Sequence, residues 1–217
     1  MNVRPVISAI GIGLGGLLFA GIWGILMALV MWAILGELTY DVEIVVNSLG
    51  ILLGAFSIGY VYFRYNDLET DFIDLHKPSA KHLGVGLLSL IALFAVGMGI
   101  EYVTELLNIS SSEHQIQQLA TADDGIATET LLVMVPISIL VIGPGEEFIF
   151  RGLVQKSLYT DFSKKVAIII TSLIFGIGHI FAYLTAGVGE LFMSLLAVFL
   201  LSVILGGVYS YTENLAI

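Results

Sequence analysis

Long apolar runs separated by short polar connectors dominate this chain, and six runs stand out: Val6–Leu35, Ile44–Phe63, Leu83–Ile100, Leu131–Phe150, Val166–Leu184 and Leu191–Tyr209. A helix needs about 20 apolar residues to cross a hydrocarbon core. The pattern therefore predicts an all-α, polytopic transmembrane helical bundle of about six spans, forming a single integral-membrane domain over residues 1–217. The first run is too long for a signal peptide's apolar region and is followed by no small-residue cleavage site, so it is expected to stay in the mature protein. Its length implies a tilt or an extension into the interface. Residues 64–82 read as a charged connector with Pro78 as a break, and residues 101–130 as a longer connector with room for a short amphipathic helix. The triplet Asn108-Ile109-Ser110 has the form of a glycosylation acceptor, a pattern common by chance.

Composition agrees with the pattern: 58% of residues are hydrophobic and only 12% charged, a balance that a soluble domain could not cover without large exposed apolar patches. The lipid bilayer is thus the first expected partner. The formal net charge of -10 argues against nucleic acid. With no cysteine, disulfides, thiolate-ligated zinc and thiol catalysis are excluded. Charge also orients the chain. All eight basic residues (Arg4, Arg64, Lys77, Lys81, Arg151, Lys156, Lys164, Lys165) lie before the first run, between the second and third, or around the junction of the fourth and fifth. The positive-inside rule then places the N-terminus and those connectors in the cytoplasm of a multi-pass cell-membrane protein.

Two polar intrusions break the apolar pattern. The first is GPGEEFIFRGLV, residues 143–154, where Glu147 and Arg151 stand four apart on one face of an α-helix and read as a structural ion pair. Glu146 points elsewhere and needs another partner or a wet cavity. Pro144 and Gly145 suggest that a helix starts or kinks there, leaving backbone N–H groups beside the acids. The second is FGIGHIF, residues 175–181, with His179 in mid-span on the same face as Phe175, and with Gly176 and Gly178 small enough to admit a neighbouring helix. A carboxylate on the fourth span and an imidazole on the fifth are what a water-activating site needs, one to remove a proton and the other to orient or donate one. His76, His82 and His114 read as solvated connector residues, Glu190 and Glu213 as interfacial. Trp23, Trp32, Tyr60 and Tyr62 read as belt or packing residues.

EEFIFR (Glu146–Arg151) and FGIGH (Phe175–His179), in that order on consecutive spans, resemble the first two motifs of the CPBP intramembrane proteases, which include type II CAAX prenyl endopeptidases and bacteriocin-processing enzymes. The resemblance covers a motif-bearing core at about residues 131–217. It implies a membrane endopeptidase acting on a membrane-associated, in some members prenylated, protein or peptide. Glu146 would be the water-activating base and His179 its partner, with Glu147, Arg151 and Phe175 organising the site. Members are described both as metalloproteases and as glutamate-dependent enzymes. If a metal is used, zinc held by Glu146 and His179 is the expectation.

The family's later motif, a histidine followed closely by Asn or Asp on a last helix, is expected just after GGVYSYTENLAI, and Asn214 is not preceded by that histidine. A longer chain with a further helix is therefore expected. Two other readings stay open: a catalytically inactive scaffold or regulator of the same fold, and an ion-coupled carrier using the buried Glu and His as a relay.

Overall fold

A computed structural model describes residues 3–109 and 126–217. The described residues are helical with no strand. All six predicted spans are present, each longer than its apolar run or displaced slightly. α1 is Arg4–Leu35, α2 Tyr40–Asn66 and α3 Ala80–Leu106. α4 is a composite that runs through Ile126–Ile137, Ser138–Ile142, Gly143–Glu147, Phe148–Gln155 and Lys156–Leu158. α5 is Lys164–Gly178, followed by a 3-10 segment His179–Tyr183, and α6 is Val188–Thr212. The helices outrun the apolar stretches because Asp41 and Glu43 suit the first turn of α2 and Arg64 its last. Ser79, just after Pro78, accepts a bond from the His82 N–H and starts α3. The expected connector 101–130 is shorter than that, since α3 continues to Leu106 and α4 begins at Ile126. His114 and Ser110 of the glycosylation triplet fall outside the described residues.

The chain forms two compact units that are interleaved in sequence: Met1–Gly13, Glu69–Ser112 and Phe150–Ile217 make the first, Leu14–Leu68 and Glu113–Ile149 the second. In the second unit α1 and α2 cross on small residues. A Cβ added at Gly54 would lie 2.5 Å from the Ala20 nitrogen, and one at Gly50 would lie 2.8 Å from the Ala20 carbonyl oxygen and 2.9 Å from the Gly24 nitrogen. Ala20-xxx-Gly24 thus meets Gly50-xxx-Gly54, backbone against backbone. In lipid, where apolar burial does not drive helices together, such close van der Waals contact does. Trp23 Nε1 donates to Ser57 Oγ at 3.0 Å beside this crossing.

In the first unit α5 and α6 run antiparallel: Gly176 faces Leu195 and Phe199, whereas Gly206 faces Ile168. The connector between α2 and α3 is more than a charged linker. Asp74 Oδ2 accepts from Lys156 Nζ at 2.7 Å and from the Tyr209 hydroxyl at 2.6 Å, and the Asp74 carbonyl accepts from the Leu215 N–H. Asn214 clasps residue 76 from both sides, accepting from the His76 N–H at 3.2 Å and donating to its carbonyl at 2.9 Å. These bonds strap the connector to the ends of α4 and α6.

The α1–α2 crossing makes a contrast between glycines. Alanine is the better helix former, so Gly21→Ala, with nothing within 4 Å of the new Cβ, is expected not to lower the thermal midpoint. Gly54→Ala is expected to cost about 1–3 kcal/mol through overpacking, read as a lower midpoint in detergent or bilayers.

Candidate active site

The acidic pair sits inside a distorted helix. Residues Ser138–Ile142 are π-helical, and the Gly143 N–H bonds to the Ser138 carbonyl, one residue beyond the α register. Pro144, which has no N–H to give, follows at once, and such a widened turn absorbs the missing donor and the ring. Helical dihedrals continue through Ile142 and Gly143, so no helix starts at Pro144. The acids therefore lie in a helix interior, and the expectation of free N–H groups from a helix start does not hold. A second π stretch, Phe148–Gln155, begins immediately after Glu147. The advance of 100° per residue used to place Glu147 and Arg151 on one face does not describe it.

Within the second unit the acids are bracketed by two anchors on α2. A Cβ at Gly145 would lie 3.2 Å from Ile51 Cγ2, and the Phe148 ring fills the space above Gly59, where a Cβ would lie 2.6 Å from it. The same ring meets Phe63 edge-on, with centroids 6.5 Å apart. Glu146 and Glu147, both half-buried, occupy the two positions between these anchors.

Arg151, Phe175 and His179 are brought together in the first unit. Arg151 is wholly buried, donates from Nη1 to Ser202 Oγ at 3.1 Å, and lies with its guanidinium carbon 5.6 Å from the centre of the Phe175 ring. Phe175 stands edge-on to Phe150 at 4.7 Å and carries His179 at 4.3 Å. His179 lies within the fifth span, as expected, but past the end of its α-helical part. It is where α5 gives way to the 3-10 segment, with φ -84° and ψ -5°. Its Nδ1 lies 2.8 Å from the Phe175 carbonyl oxygen. A carbonyl only accepts, so Nδ1 carries the proton, and Nε2 of the neutral ring is the nitrogen with a lone pair.

Several polar residues at the heart of this unit were passed over in the sequence. Gln155 is wholly buried and donates from Nε2 to the Tyr159 hydroxyl at 2.7 Å and to the Gly206 carbonyl at 2.9 Å. Ser202, Thr171 and Ser172 are also wholly buried. The signal was present as polar side chains in apolar spans. Gly176 is not the point of tightest approach, since a Cβ there would sit 3.8 Å from the Leu195 carbonyl. Gly206 is tighter, at 2.8 Å from Gln155 Oε1. Among the described residues no three His, Asp or Glu side chains gather as a metal ion would require. A catalytic zinc takes three protein ligands, so the described residues do not form such a set.

The Arg151–Ser202 contact yields a direct test. Ser202→Ala removes an acceptor from a buried guanidinium, and a loss of about 1–3 kcal/mol is expected; Ser202→Thr, which keeps the hydroxyl, is expected to recover most of it in thermal denaturation.

Comparison with known proteins bears on this half of the chain. Residues 128–217 match the family model described as Rce1-like, type II CAAX prenyl endopeptidase Rce1-like. No curated protein and no solved structure matches the chain. The matched stretch holds both polar motifs, EEFIFR and FGIGH, together with Ser202, Gln155 and Gly206. Over residues 128–217, then, this multi-pass membrane protein is similar to the Rce1-like type II CAAX prenyl endopeptidases.

Proposed function

We infer that the protein is an intramembrane endopeptidase in which Glu146 activates water against a peptide bond of a membrane-associated protein or peptide. The observation that carries this reading is the His179 ring, whose Nδ1 bond to the Phe175 carbonyl commits Nε2 to accepting and returning a proton. Glu146 takes a proton from water, and the oxygen attacks the scissile carbonyl carbon. As the C–N bond breaks, the hydroxyl of the tetrahedral intermediate gives its proton to His179 Nε2, which passes it to the leaving amine, and Glu146 releases its own proton afterwards. Glu147 and Arg151 organise the site, and Phe175 orients the imidazole by a tilted ring contact and through its carbonyl. No step is assigned to zinc. The family match supports a prenylated C-terminal segment as the substrate class, with entry sideways from lipid.

General acid–base groups contribute on the order of 10²–10⁴ in rate, so Glu146→Gln is expected to lower kcat by about that factor on an internally quenched, farnesylated CAAX peptide in proteoliposomes. Cleavage at the wild-type rate would remove the peptidase reading. A cellular role that survives Glu146→Gln would point to a scaffold.

The distribution of basic residues supports a cytoplasmic N-terminus in the cell membrane. The chain has no native cysteine, so Asp161→Cys is expected to react with an impermeant maleimide only after the membrane is opened. Glu37→Cys should react in intact cells. The opposite pattern would invert the topology.

A further inference from the structure

We propose that Gln155, Thr171, Ser172 and Ser202 line a hydrated seam within the first unit, which holds water at membrane depth and supplies the molecule that hydrolysis consumes.

Gln155 Oε1, Thr171 Oγ1 and Ser172 Oγ are fully enclosed and make no hydrogen bond to any described group. Each orphaned buried oxygen costs as much as a lost hydrogen bond, and an ordered water is one way of relieving it. Serine and threonine in a helix ordinarily relieve this by bonding back to the carbonyl four residues earlier. Thr104 and Thr212 do so here, whereas Thr171 and Ser172 do not.

The three oxygens are not scattered. Ile168 of α5 abuts Gly206 of α6, and Gly176 of α5 faces Leu195 and Phe199. The turn between, which holds Thr171 and Ser172, is therefore set against the part of α6 that holds Ser202. Arg151 and Gln155, four apart on α4, bond to Ser202 and Gly206, four apart on α6. The polar groups thus form a column from Tyr159 through Gln155 and Ser202 to Arg151, beside the Phe175 ring on which His179 rests. A buried water needs two to four polar partners. The orphaned oxygens supply acceptors, and the two hydroxyls can also donate.

Hydration is independent of the peptidase reading; the use made of the water rests on it. Water-edited solid-state NMR of threonine-labelled protein in bilayers tests the first. Magnetisation from water is expected to reach Thr171, assigned by its loss in Thr171→Val, as fast as it reaches interfacial threonines. A signal as slow as that of lipid-facing residues would overturn the seam. Thr171→Val and Ser172→Ala are also expected to lower the thermal midpoint; a dry orphan would raise it. For the second, Thr171→Val is expected to reduce kcat about fivefold, the worth of one hydrogen bond, with KM unchanged, while Leu173→Val on the neighbouring exposed position leaves both unchanged. A wet Thr171 with unaltered kcat would overturn the supply role. Water transfer with no hydrolysis by the wild type would instead refute the peptidase assignment.

Discussion

Lipid offers no hydrogen-bond partner, so every polar group at membrane depth must find one inside the protein. That constraint shapes the chain at two scales. It makes each span a helix, and where Pro144 removes a donor it is met by widening the turn before it rather than by ending the helix. It also dictates what surrounds a buried charge. Arg151, with no exposed surface, is placed against a hydroxyl and the face of an aromatic ring, both of which suit a weakly hydrated, planar guanidinium.

The same solvent removes the usual reason for helices to associate, leaving shape and polar contacts to do so. In the second unit, shape dominates: two small-residue pairs let the α1 and α2 backbones touch, and α2 in turn offers Gly59 as the seat of Phe148. The acidic pair is therefore held on a rigid support, between Gly145 and Phe148. In the first unit, polar contacts dominate. Gln155 and Arg151 tie α4 to α6, while Asp74 gathers Lys156 and Tyr209 at their ends. Rigid support under a half-buried acid is what a proton-transfer site requires, since a displacement of an ångström is costly in rate.

The chemistry depends on position as much as on residue type. An imidazole in mid-helix would have its ring nitrogens set by whichever side chains drift near. At the α to 3-10 junction, the Phe175 carbonyl settles which nitrogen carries the proton. π turns on either side of the acids are departures from regular helical geometry that natural chains often keep at sites of function.

The number of spans, the all-α class and both polar motifs were legible in the sequence, because apolar length and polar intrusion are properties of consecutive residues and lipid enforces them span by span. The resemblance to CAAX-type membrane proteases, too, was readable from Glu146, Arg151 and His179, since each is expensive in an apolar run. What surrounds them was not. Ser202 and Gly206 meet Arg151 and Gln155 across 51 positions, and no local period encodes such a meeting. The π turns escaped for a related reason, since a helical pattern read at 3.6 residues per turn assumes the register that Pro144 disturbs. His179 looked central because apolar residues continue past it, whereas the backbone tightens to 3-10 there. Sequence alone determined which residues lie at membrane depth and which of them are polar, because the bilayer acts on each span separately. Only the tertiary structure decided which of those polar groups meet, because that depends on how closely helices distant in sequence can pack.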